Sequence, residues 1–392
     1  MAVIGQADRV PVAGDIRARL QARVDDMAAL LGRMVCIESG SDDPEGLDRL
    51  AALLHELFSE LGPVTRHPVG PGGASHLTLT VEGADAALPH VAVLGHYDTV
   101  WPRGTLDRIP FAVDDLGVIT GPGCFDMKGG LVLLYYALRE LRELGRGPRR
   151  PLRVLLNCDE EVRSRTSREL IQRTARGAAA ALVLESPLPG GALKTARKGT
   201  ATYRLLIEGR PAHAGVEPDK GVSAILELTH QVQALHALSD RERGTTVNVG
   251  VVRGGTRPNV VAAGAEAEID VRSASKDEAE RVDRSIRGLA PALPGARLTV
   301  SADLTRPPME PTPASRRLFE LAASITRGMG AGDLGQGATG GASDANLVAA
   351  AGVPTLDGLG PEGGGAHADN EHVLLWSMPW RAALIAGLLA EI

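Results

Sequence analysis

The chain has 392 residues, long enough for two domains and a substantial core, and its 44% hydrophobic and 23% charged content is that of ordinary soluble globular proteins. A net charge of -6 and 3% aromatic residues argue against a nucleic-acid footprint and against base-stacking surfaces. Three cysteines without CxxC spacing argue against a disulfide framework, no apolar run approaches the roughly 18 residues needed to cross a bilayer, and the opening MAVIGQADRVPVAGDIRARL has no signal-peptide pattern, so the expected compartment is the cytoplasm.

Apolar residues at three- and four-residue steps, from Ile16 through Leu20, Val24, Met27 and Leu31 to Met34, predict a helix over 14–35, and a second covers 45–61. Strands follow near Val64–Val69, Leu77–Val81 and Val91–Leu94. MKGGLVLLYYALRELREL reads as a buried helix, LRVLLNC as a strand, 167–176 as a helix and AALVLES as a strand. This alternation predicts an α/β domain with a mainly parallel sheet. The texture changes near residue 195. TATYRLLIEG, a helix over 221–237, TTVNVGVVRGG, AEAEIDVRS, the helix SKDEAERVDRSIRGL and ARLTVSA follow in the order strand, helix, strand, strand, helix, strand. That is the order of a ferredoxin-like α+β unit. The helix–strand pattern resumes at 314 and ends in a helix over 376–391. The expected organisation is a discontinuous first domain, 1–198 and 309–392, with an inserted domain at 199–308.

Five places put acids or imidazoles at the carboxyl ends of predicted strands or in glycine-rich loops beside them, where open α/β sheets bind ligands. They are GHYDT with His96 and Asp98, GPGCFDMKGG with Asp126, NCDEE with Asp159, Glu160 and Glu161, VLES with Glu185, and GGGAHADNEH with His367. Taken singly, a strand-end histidine can simply complete a core, and Asp-Glu-Glu can be a solvated charge run or a pair of helix N-terminal acids. The recurrence of one chemistry at one sheet edge favours a site. Two imidazoles and several carboxylates, with no thiolate pair, suit Zn²⁺ and supply ligands for two ions. Two such ions, about 3.5–4 Å apart, need a bridging carboxylate, and the glycines around Asp126 let its backbone turn tightly there. Adjacent residues at a strand end point in different directions. One member of the Glu160-Glu161 pair can therefore bind metal while the other faces substrate as general base.

With these motifs in order, the chain resembles the M20 metallopeptidase clan of co-catalytic zinc aminoacylases and carboxypeptidases. GHYDTVWPRGTL, GPGCFDMKGG and TGGASDANLVAAAGVP look most like its glutamate carboxypeptidase (carboxypeptidase G) branch. The resemblance runs from about residue 20 to the C-terminus and implies a dizinc catalytic domain with an inserted lid and dimerisation domain. It implies that His96 and Glu185 bind one zinc and Glu161 and His367 the other, that Asp126 bridges them, that Glu160 is the general base, and that Asp98 orients His96. Co²⁺ or Mn²⁺ are possible in place of zinc. A cis peptide between Asp126 and Met127 is also implied.

In the insert, the resemblance points to His213, Asn259 and Arg272 as groups for the substrate's carboxylate and for the oxyanion, with the histidine donated across a homodimer. Arg306 is a second candidate for the same anion, and Gly340 and Gly341 would bring backbone near the substrate. After Asp-Glu-Glu relatives commonly show a Gly-Ser turn, where this chain has VRSRTS; Arg163 and Arg165 there either meet an acidic substrate or rim the cleft. The expected activity is hydrolysis of an amide bond beside a free carboxylate, releasing an amino acid such as glutamate. The alternatives are an N-acyl amino acid deacylase of the acetylornithine or succinyl-diaminopimelate type, and a non-catalytic metal-dependent binding protein, which predicts loss of the base or of a ligand.

Overall fold

The computed structural model describes residues 11–70, 72–303 and 305–392. The first ten residues, on which part of the signal-peptide reading rests, lie outside that set. In chain order the elements are α1 (Pro11–Gln21), α2 (Val24–Val35), α3 (Pro44–Ser59), β1 (Val64–Pro68), β2 (Ser75–Val81), β3 (Val91–His96), β4 (Ala112–Val113), β5 (Val118–Thr120), α4 (Gly129–Glu143), β6 (Leu152–Asn157), α5 (Arg168–Ala175), β7 (Ala180–Val183) and β8 (Leu193–Arg197). Then come β9 (Gly199–Glu208), α6 (Ala224–His236), β10 (Thr246–Gly254), β11 (Gly264–Ser273), α7 (Lys276–Arg287) and β12 (Arg297–Ala302). The chain closes with α8 (Pro313–Gly328), β13 (Gln336–Thr339), α9 (Asp344–Ala350), β14 (Thr355–Leu356), β15 (Gly363–Gly364), β16 (His372–Leu374) and α10 (Met378–Glu391). The described residues form two compact units, one within 11–195, 311–339 and 343–392, the other within 196–310 and 340–342.

The first unit is built on a six-stranded sheet in the order β1-β2-β6-β3-β7-β14. β6, β3, β7 and β14 run parallel; β2 pairs antiparallel with β6, and β1 antiparallel with β2. Every residue of β3 is buried. Val91 and Val93 enter the main apolar core, while Ala92 and Leu94, pointing the other way, are buried as well. A strand covered on both faces reads as an unbroken apolar run, which is why VAVLGH shows no alternation. α4 and α10 pack on each other, with α1, α2 and α8 against them, and α5 and α9 pack together on β6, β7 and β14.

Helix ends differ from the sequence reading by a few residues, and at two places the difference has a backbone cause. The helix expected over 14–35 breaks at Arg23, whose φ of -117° and ψ of 16° leave the helical region. The apolar stripe survives the break because both halves face the same core. The break also lets Arg19 and Arg23 converge on Glu143 at 2.7 and 2.8 Å, beside the fully buried Glu140. The helix expected from Met127 starts at Gly129 instead, because Asp126 and Met127 are non-helical; the peptide between them is cis. A small sheet, β15-β16-β5-β4, has no counterpart in the sequence reading. Its strands of two or three residues are too short to show a period.

The second unit has strand order β10-β11-β9-β12, all antiparallel. Numbered within the unit this is 2-3-1-4, the ferredoxin-like arrangement. Residues of β11 alternate between buried (Ala265, Ala267, Ile269, Val271) and half-exposed (Glu266, Glu268, Asp270, Arg272). The buried face packs under α6 and α7 through Leu228, Leu235, Val282 and Ile286. Ser223 and Ser275 cap the two helices, each accepting a backbone N–H from the first turn, at 3.2 and 3.3 Å.

Candidate metal centre

Parallel pairing of β3 with β6 and β7 brings three carboxyl strand ends to one sheet edge. His96 closes β3, Glu160 and Glu161 follow β6, and Glu185 follows β7. The turn before α4 carries Asp126, and the loop between β15 and β16 carries His367, held at a φ of 62°. His96 Nε2 lies 3.4 Å from Asp126 Oδ1 and 3.7 Å from Glu185 Oε1. His367 Nε2 lies 3.3 Å from Asp126 Oδ2 and 3.3 Å from Glu161 Oε2. The two oxygens of Asp126 thus face different imidazoles. Potential ligand atoms of His96, Asp126 and Glu161, and likewise of His96, Glu160 and Glu185, fall within 4.8 Å of one another.

The chemistry of this set fits cations. Asp126 Oδ1 and Glu161 Oε1 are buried without a hydrogen bond, an expensive arrangement for ionised oxygens unless something positive shares the space. The electrostatics agree. Hydrogen bonding to Asp126 and then Glu161 pushes the His367 imidazole up to about 10. Burial alone would lower His96, yet Asp126 and Asp98 more than reverse it and raise the ring well above its ordinary value. Burial likewise raises Asp126, and the two imidazoles overcome it and hold that carboxyl below the usual range.

Asp98 sits behind His96, fully buried. His96 Nδ1 is 3.0 Å from the Asp98 backbone carbonyl and 3.4 Å from its Oδ1. The Asp98 carboxylate also accepts the Glu160 N–H at 3.1 Å, the Glu161 N–H at 3.2 Å and the Ser41 hydroxyl at 2.7 Å. One buried acid therefore ties the end of β3 to the Glu160-Glu161 pair. Asp159, which the sequence left without a role, folds the turn after that pair. It accepts the Thr166 N–H at 2.6 Å, the Thr166 hydroxyl at 2.7 Å and the Ser167 N–H at 3.2 Å. In the same turn Arg163 and Ser164 adopt positive φ, 75° and 51°.

Residues 92–391 match the description Peptidase family M20/M25/M40. This chain belongs to peptidase family M20. The chain is 30% identical over 382 residues to carboxypeptidase G2 of Pseudomonas sp. strain RS-16, covering 95% of this chain and 91% of that protein. It is 30% identical over 353 residues to a succinyl-diaminopimelate desuccinylase of Gluconacetobacter diazotrophicus, covering 85% and 88%. Its fold is shared with an M20 family metallo-carboxypeptidase of Sulfolobus solfataricus, at a TM-score of 0.70 and 16% identity over 93% of this chain and 99% of the other. It is shared as well with aminopeptidase PepT of Bacillus cereus, at 0.76 and 23% over 94% and 98%. This M20 peptidase is a metal-dependent hydrolase of amide bonds. No described helix is long and apolar enough to cross a membrane.

The remaining predicted residues of this M20 chain lie in the second unit, in two groups. His213 is exposed and bridges to Val260, and the Ala214 N–H donates to the Asn259 carbonyl at 3.0 Å, so His213 and Asn259 adjoin. The Gly215 N–H donates to His213 Nδ1 at 3.2 Å, which leaves Nε2 as the protonated, donating nitrogen of the neutral ring. Arg272 pairs with Thr200 across β11 and β9, and Arg306 bridges to Thr200 from the other side. Arg272 Nε donates to Asp270 at 2.9 Å. Nearby, Arg197 donates to the Gly341 carbonyl at 3.0 Å, and a Cβ at Gly340 would meet open space. The two groups stand at opposite ends of β11, about 25 Å apart at the usual rise of a strand.

Proposed function

We propose that this M20 peptidase is a dinuclear zinc amidohydrolase that releases an amino acid, glutamate in the first instance, from an acyl or peptidyl conjugate. The carrying observation is that the two oxygens of Asp126 face His96 and His367 separately, with Glu185 beside the one and Glu161 beside the other. His96 and Glu185 would hold one zinc, Glu161 and His367 the second, and Asp126 both. When bound, the pair of ions would polarise the scissile carbonyl and make a shared water acidic. Glu160, buried at the same edge, takes the proton of the attacking water and passes it to the leaving amine. Asp98 keeps His96 and the Glu160-Glu161 pair in register.

In the same reading the first unit is catalytic and the second serves as lid and dimerisation unit. His213, Asn259 and Arg272 serve substrate recognition, with Arg306, Gly340 and Gly341 beside Arg272. Two observations support a homodimer. The histidine and the arginines stand at opposite ends of one sheet, so one substrate reaches both groups only if a second copy supplies one of them. β10 is an edge strand, and its Val251 and Val252, with Ile225 and Leu226 of α6, are exposed. The thiols of Cys36, Cys124 and Cys158 are free, which supports work in the reducing cytoplasm.

Similarity to carboxypeptidase G2 supports a glutamate conjugate, and similarity to the succinyl-diaminopimelate desuccinylase supports a second reading, N-acyl amino acid deacylation. The test is hydrolysis of N-acyl amino acids, dipeptides and glutamate conjugates by zinc-loaded and chelated protein, with elemental analysis of the loaded form. Two zinc ions per chain and chelator-sensitive release of an amino acid are expected. Absence of stoichiometric metal, or hydrolysis that a chelator leaves untouched, defeats the reading. His213→Ala mixed with Glu160→Ala tests the dimer: activity returns in mixed dimers if the histidine acts across the interface.

A further inference from the structure

We propose that Glu371 is a positioning residue for the metal centre, a buried carboxylate that fastens the turn bearing Asp126 to the loops bearing His367 and following His96. The inference rests on the reading of Asp126 as a metal ligand. Glu371 is 1% exposed and lies four residues after His367. Its Oε1 accepts the Phe125 N–H at 2.9 Å and the Asp126 N–H at 3.0 Å. Its Oε2 accepts the Gly123 N–H at 2.9 Å and the Trp101 indole N–H at 2.7 Å. Its own N–H donates to the Ala368 carbonyl at 2.9 Å, which anchors it within the His367 loop.

The turn needs such a partner. Asp126 and Met127 are non-helical, so the Gly123, Phe125 and Asp126 N–H groups ahead of α4 have no helical ladder to join, and they are buried or, at Asp126, partly buried. A carboxylate is the side chain with two acceptor oxygens and no donor, and here both oxygens are used twice. Glutamine has the same shape but turns one oxygen into an NH₂ group. Whichever way that amide sits, two of the four N–H donors then face hydrogens. One choice of face releases the Phe125 and Asp126 amides; the other releases Gly123 and Trp101. Either loosens the backbone from which the Asp126 carboxylate reaches between the imidazoles.

The test compares wild type, Glu371→Gln and Val282→Ala, a stability-lowering core change in the second unit, which carries none of the proposed metal ligands. Zinc affinity is measured by competition with a chromophoric chelator, and the cobalt-loaded proteins are compared by visible absorption. Glu371→Gln is expected to bind zinc about 10–100-fold more weakly and to shift the cobalt spectrum, with turnover falling more than KM rises. Val282→Ala is expected to melt earlier with zinc affinity unchanged. Wild-type affinity and an unshifted cobalt spectrum in Glu371→Gln overturn the proposal. If that variant does not fold, Trp101→Phe, which removes one donor, decides: a several-fold loss of zinc affinity supports the role, and no change overturns it. A wild type that takes up no zinc defeats the metal reading itself, a separate outcome.

Discussion

Gly130 lies in the first turn of α4 against the carbonyl of Leu184, the residue before Glu185. A Cβ there would stand 2.2 Å from the Leu184 oxygen and 3.2 Å from its carbon, against 3.4–4 Å for ordinary contact. The obstacle is backbone, so no side-chain rotation relieves it, and helix and strand end must part by about 1 Å. Gly130→Ala is therefore expected to lose about 1–3 kcal/mol through overpacking, a fall of several degrees in melting temperature. The displacement falls on the centre itself, because Asp126 precedes α4 and Glu185 follows Leu184. The gaps of 3.4 and 3.7 Å from His96 to Asp126 and Glu185 open, and a misplacement of this size costs about 10²-fold in turnover. The control is Gly14→Ala in α1, where an added Cβ meets nothing within 4 Å, and a gain of about 0.5–1 kcal/mol is expected. Scanning calorimetry and hydrolysis by the zinc-loaded proteins read both effects. A Gly130→Ala protein that melts and turns over like wild type refutes the reasoning.

Glu160→Ala should retain its metal by elemental analysis yet lose at least about 10²-fold in turnover, and full activity in that variant removes the proposed base. Arg163→Gly relieves a left-handed backbone that costs a non-glycine residue about 1 kcal/mol or more, so a higher melting temperature is expected; an unchanged one means that the turn adapts. Glu278, at the start of α7, is pulled from 4.5 to about 2, chiefly by Arg281 against the opposing effect of burial, with Thr245 and Arg243 assisting. A depressed carboxyl stabilises the fold above its unfolded value, and that stability is lost as pH falls through the folded one. Hydrogen-exchange protection over 276–287, corrected for intrinsic rates, should therefore drop between pH 4.5 and about 2, and Glu278→Gln should flatten the drop. An unaltered slope in the variant counts against this assignment.

Much of the candidate centre was legible because its residues stand where periodicity stops. Val91–Leu94 is a buried strand by composition alone, and the polar residues after it must sit at its carboxyl end. The same holds for Glu160 after β6 and Glu185 after β7. Glu371 was not legible, although it stands in the same short motif as His367. Its partners are backbone N–H groups 245 to 248 residues away and one indole, and backbone donors leave no mark in a sequence. Asp159 was hidden for the same reason, since its work is to cap a turn. The break between α1 and α2 escaped because both halves share one apolar stripe. Met127 looked like the start of a helix because its hydrophobicity fits the period, while the glycines that follow let the helix begin two residues later.

The polypeptide leaves the first unit after Thr195 and re-enters it at Pro311. His96, Asp126, Glu160, Glu161 and Glu185 are all made before that excursion, and His367 only after it, just ahead of α10, which packs on α1 and α4. Closing so long a loop adds little entropy beyond a short one, so the finished fold tolerates the detour. On the ribosome, however, the detour imposes an order. A nascent chain carries four acids and one imidazole at an edge that still lacks its second ring and its closing helix. Translation thus delays the proposed site until the last segment emerges, and a polypeptide stalled within the second unit would be an unfinished chelator rather than a slow enzyme.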